Sequence, residues 1–170
     1  MSPLHYRLIP LAILLGYGLY AYAEVPLPSS VLKDNAETFE IACPNNPRQT
    51  TIDMNDCMGT KRDAVKSVEA KYVSASRQRI LATQDEQTLN AFEAENKAWD
   101  ILIDAASHAT GVEWQGGTIR GVKAAEREIT LIELRIHNQW QNWLRYEDST
   151  PPILPEPLFQ DVECGTKNCA

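Results

Sequence analysis

The chain has 170 residues, a net charge of −7 and four cysteines. That length allows a single domain with a real core. The acidic balance argues against nucleic acid as a partner, because neutralising phosphates takes clustered Lys and Arg; it suits a cationic partner, whose opposite field raises the encounter rate, or simply keeps an exported protein soluble.

Residues 1–23 have the layout of a secretory signal. Arg7 opens the segment, an apolar run follows from Leu8 to Tyr20, and Ala21-Tyr22-Ala23 gives the small-residue exit. Cleavage is expected after Ala23, placing the protein in the periplasm or outside the cell. A retained anchor is the alternative, but the apolar run is short for a span of roughly 20 residues, and Pro10, Gly16 and Gly18 weaken it. No stable membrane span is expected once the signal is removed. The mature chain then has 147 residues and net charge −8.

Cys43, Cys57, Cys164 and Cys169 all follow the signal, and an even count in an oxidising compartment points to disulfides. Three pairings are possible. Proximity favours Cys43–Cys57 with Cys164–Cys169, while joining the two ends of the domain would close longer loops and constrain the unfolded chain more. A zinc site is the weaker reading, since no C-x-x-C occurs and His108 and His137 lie at no ligand spacing to the cysteines. No metal and no cofactor are expected.

Residues 24–49 read as an irregular segment, punctuated by Pro26, Pro28, Pro44 and Pro47. A helical domain is expected over 50–147. Met54, Met58, Val65, Val68, Tyr72 and Ile80 recur at helical steps, with Thr51 or Asp53 as N-cap, to about Ala82. A second helix follows Asp85 with Leu89, Phe92, Trp99, Leu102 and Ala106 on one face, stopping at Thr110-Gly111. Thr118 is expected to cap a third, carrying Val122, Ile129, Ile132, Ile136, Trp140 and Trp143 to about Tyr146. Residues 148–170 form a Pro-rich, cysteine-containing tail in which Pro151, Pro152, Pro155 and Pro157 forbid further helix. The fold expected is all-α: an antiparallel bundle of three long helices with irregular, disulfide-tied ends.

Trp99, Trp140 and Trp143 lie at helical spacing and read as core. Trp114 differs, because the link Glu113-Trp114-Gln115-Gly116-Gly117 joins no apolar stripe. It is either a lid on the bundle end or an exposed anchor for a partner, and these five residues are the candidate binding site. No catalytic residue is expected: neither histidine has a nucleophile partner, hydrolase and Glu-x-x-His motifs are absent, and Glu93, Glu95, Glu126, Glu128 and Glu133 read as a solvated face.

Thr51-Ile52-Asp53-Met54-Asn55-Asp56-Cys57, Ala94-Glu95-Asn96-Lys97-Ala98-Trp99 with Asp104, Gly116-Gly117-Thr118, and Glu126-Arg127-Glu128-Ile129-Thr130 with Arg135 occur in that order. In order and spacing they resemble the LprI-type family, small exported helical bacterial proteins named for a lysozyme-inhibiting lipoprotein domain. The resemblance spans roughly residues 50–146. It departs where that family places two further cysteines, here Ala105-Ala106-Ser107 and Ala124-Ala125, which implies that Cys57 pairs with Cys43 or a tail cysteine. The resemblance implies a binding protein that inhibits a lysozyme-type muramidase, or an immunity protein against a periplasmic toxin, with a cationic hydrolase or toxin as partner. A structural or scaffolding envelope protein is the alternative, and an envelope enzyme comes third.

Overall fold

The computed structural model describes residues 25–43 and 50–162. The proposed signal and Cys164 and Cys169 lie outside them. Three helices dominate, α1 (Thr51–Thr83), α2 (Glu86–Glu113) and α3 (Arg120–Gln139), the last running into a π-helical turn at Trp140–Leu144. Thr50 rather than Thr51 or Asp53 is the N-cap of α1. Its hydroxyl accepts from the Asp53 N–H while the Asp53 carboxylate accepts from the Thr50 N–H, a reciprocal capping box. Asp85 caps α2 through the Thr88 N–H. Gly111 does not stop that helix, which continues to Glu113. Thr118 does not cap α3, whose first turn has no side-chain cap.

An all-α bundle is not what forms. The segments expected to be irregular build a three-stranded mixed sheet, β1 (Ser30–Lys33), β2 (Ala36–Ala42) and β3 (Glu156–Val162), in the order β1-β2-β3. β1 and β2 are an antiparallel hairpin closed by Asp34-Asn35, both at positive φ (50° and 66°). This is the left-handed pair that a two-residue hairpin turn requires, and Asp and Asn tolerate it best after glycine. β3 runs parallel to β2 with Phe39 opposite Phe159. Pro157 is tolerated because β3 is an edge strand, where a missing N–H costs no ladder bond on the open side.

The sheet covers the α1–α3 face that a bare bundle would leave wet. Phe39 and Ile41, two residues apart and so on one side of β2, are buried with Val65, Val68, Tyr72, Ile132, Ile136 and Leu144. Phe39 stacks on Phe159 at 5.9 Å and meets Tyr72 edge-on at 6.4 Å. Polar contacts fasten the layers: the Tyr72 hydroxyl donates to the Pro155 carbonyl (2.8 Å), the Trp140 indole to the Leu154 carbonyl (3.0 Å), and Lys71 pairs with Glu37 (2.7 Å). The Cys43–Cys57 disulfide ties the end of β2 to the first turns of α1.

Along α1 the expected stripe holds at Val65, Val68, Tyr72 and Ile80, with Met54 and Met58 partly buried. The α2 stripe is turned. Phe92 and Ile103 are buried, Leu89 and Trp99 are half-buried, and Leu102 is exposed, because Asn96 takes the central position. Trp140 is buried, and Trp143 packs edge-on against Phe92 at 5.4 Å. Among the described residues no helix is long and apolar enough to cross a membrane.

Candidate functional site

The five residues singled out in sequence form the corner between α2 and α3. Glu113 ends α2 and Trp114 is its C-cap, its N–H donating back to the Thr110 carbonyl. The Gln115 N–H donates to Val112 (3.1 Å) and the Gly117 N–H to Trp114 (2.9 Å), so the backbone of the corner is internally bonded. Neither glycine has positive φ. A Cβ at Gly116 would point into open space, and one at Gly117 would only touch the Trp114 carbonyl at 3.5 Å. Trp114 does not plug the bundle end. It stays 39% exposed, with the Lys123 ammonium over its ring at 5.8 Å. Beside it, Gln115 lines a groove of about 500 Å³ with Arg62, Ser107, His108, Arg120 and Glu128.

Two of the residues quoted for the resemblance, Asn96 and Arg135, meet elsewhere, in the centre of the bundle. Arg135 of α3 is buried and donates to Glu69 of α1 (2.7 Å), to Asp100 of α2 (2.7 Å), and to the side chain (2.9 Å) and carbonyl (3.2 Å) of Asn96. Gln139 donates to the same Asn96 oxygen at 3.3 Å. Burial pushes the Glu69 carboxyl above its usual range, and the Arg135 guanidinium opposes that push. The cluster links all three helices through one guanidinium.

A second cluster opens to solvent. A cavity of about 420 Å³ lies between α1, α3 and the sheet, beside the disulfide. Ile41, Met58, Val122, Ile129 and Phe159 make its apolar wall, and Lys61, Glu126, Glu133 and Asp161 are its charges. The Lys61 side chain is only 5% exposed and pairs with Asp161, itself 68% exposed on β3. No hydrogen bond or ion pair with a described residue engages Glu133. Desolvation first, and then the Asp161 carboxylate, raise its pKa to about 7, with Lys61 opposing. Sequence reasoning missed this site: Glu133 reads as one more surface acid, and Asp161 lies in a segment expected to be irregular. The available signal was Lys61, a cation spaced on the apolar stripe between Cys57 and Val65.

Among the described residues no group of His, Cys, Asp and Glu could hold a metal ion. His137 approaches Glu156 at 4.0 Å and lies against Trp140, and His108 lines the groove by Gln115. Comparison with protein-family models, with curated proteins and with solved structures returns no match.

Proposed function

We propose that this is an exported binding protein that blocks a cell-wall-degrading enzyme of the lysozyme type, or a toxin delivered to the periplasm, with the Trp114 corner as the anchor of its contact surface. The observation that carries this reading is Trp114 itself: a large aromatic held half-exposed on an internally bonded corner between two long helices. Such preorganised aromatics lose little entropy on binding and are over-represented among interface residues worth about 2 kcal/mol or more. Support also comes from the acidic mature chain, which would steer a cationic partner, and from the LprI-type resemblance. Asn96 and Arg135, two of the residues quoted for that resemblance, are occupied inside the bundle, while Gly116 and Gly117, also quoted for it, lie at the corner.

The test is inhibition of a cationic lysozyme, and of any toxin encoded beside the gene, by the mature protein and by Trp114→Ala. The variant should inhibit at least tenfold more weakly while its melting midpoint stays nearly unchanged. Full inhibition by a folded Trp114→Ala protein would remove the corner from the interface. A scaffolding role is the second reading, favoured by exposed Ile101 and Leu102 on α2 and Leu134 on α3. It expects self-association in sedimentation that Ile101→Ser abolishes.

A further inference from the structure

We infer that the cavity between α1, α3 and the sheet is a binding site for an organic ammonium ion with a short apolar body, its charged head at Glu133 and its body against Met58, Ile129 and Phe159. The inference does not depend on the Trp114 reading.

The shape and chemistry of the cavity carry it. About 420 Å³ is at the size of a small-ligand site. One wall is apolar, including the polarisable Met54 and Met58 and the Phe159 ring, surfaces that accept the methylenes beside a cation. Four charged side chains line the space: Lys61 from α1, Glu126 and Glu133 from α3, and Asp161 from β3. Three of the four are already engaged. Lys61 and Asp161 neutralise each other, and Glu126 pairs with Lys123 at 2.7 Å. Glu133 is left as a carboxyl without a described partner, facing a cavity in which it is desolvated. A free carboxylate costs energy in that setting, and a cation is what would repay it. An anion would instead have to displace Asp161 from Lys61 and face two other acids.

Desolvation and the Asp161 carboxylate push the Glu133 pKa up to about 7, so an entering cation competes with the proton on whatever fraction of Glu133 is protonated. Alkylammonium ions keep their charge up to about pH 10, so affinity should follow the ionised fraction of Glu133. It should rise roughly tenfold from pH 6 to pH 8.

The same head group occurs in free amines and in lysine side chains of a polypeptide, and the probes separate these sources. The full mature protein, with methyl-labelled methionine, is titrated with n-hexylammonium, with Nα-acetyl-lysine N-methylamide, and with hexanoate and hexanol as anionic and neutral controls. The expected result is saturable movement of the Met54 and Met58 methyl signals by one or both cations, at least tenfold weaker binding in Glu133→Gln at pH 8, and the stated pH dependence in the unsubstituted protein. The tighter-binding cation identifies the source. Equal or stronger binding of hexanoate, cation binding with no pH dependence and no loss in Glu133→Gln, or unmoved methyl signals at tens of millimolar would each overturn the inference. The pH profile needs no variant, so a poorly folded Glu133→Gln protein would not rescue it.

Discussion

Replacing Arg135 by Met tests whether the polar cluster in the bundle holds the three helices in register. Met fills much of the same volume, so packing changes little and the loss is electrostatic. Four hydrogen bonds disappear, to Glu69, Asp100 and twice to Asn96. They do not weigh equally. The Asp100 side chain is 66% exposed and re-solvates once released, so its share is small. The Asn96 oxygen still accepts from Gln139. Glu69 bears the cost: its carboxyl is already pushed up by burial, and Arg135 is the largest influence opposing that push. Stranding one member of a buried pair costs about 3–5 kcal/mol, which is the destabilisation expected at pH 7.5. The sign with pH follows from the same group. In Arg135→Met the folded-state pKa of Glu69 rises further above its unfolded value, so stability is present below the unfolded value and lost as pH rises through the folded one. The variant should therefore lie closer to the parent at pH 4.5 than at pH 7.5, and adding Glu69→Gln should recover part of the loss at pH 7.5. Urea denaturation followed by tryptophan fluorescence measures all three proteins. A cost under about 1 kcal/mol that does not change with pH would refute the assignment.

The sheet should prove as much a part of the core as the helices: Phe39→Ala removes a fully buried ring touching Tyr72 and Phe159 and should cost about 3–5 kcal/mol in the same assay. Trp99→Ala, at a half-buried position outside the central cluster, should cost only about 1–2 kcal/mol, clearly less than Phe92→Ala at a fully buried one. Opening the Cys43–Cys57 link, which spans 14 residues, by Cys43→Ser with Cys57→Ser should lower stability by about 3 kcal/mol, read as a lower thermal midpoint.

The helices were legible because their cause is local. Apolar residues recurring at three and four places put Val65, Val68 and Tyr72, or Ile129, Ile132 and Ile136, on one face whatever lies opposite; the link between α2 and α3 showed as a break in that stripe, but whether Trp114 there is a lid or an exposed group was open in the sequence and decided by the fold. Where a helix end or a face depends on a partner, sequence reasoning slipped: Gly111 lies within α2, Thr118 caps nothing, and the buried face of α2 includes Asn96, which accepts from Arg135, 39 residues away. The sheet was decided by tertiary structure alone. Phe39 and Ile41 alternate over too few residues to announce a strand, and the prolines before and within Glu156–Val162 argue against one until an edge position is available. Pairing Ala36 with Glu156 brings together residues 120 positions apart, for which no local rule holds. The cavity shares that origin, since Lys61 and Glu133 come from two helices and Asp161 from the added strand. The Glu133 carboxyl is pushed up first because packing removes its water and second because Asp161 lies near it, and that environment is a property of the assembled fold rather than of any stretch of chain.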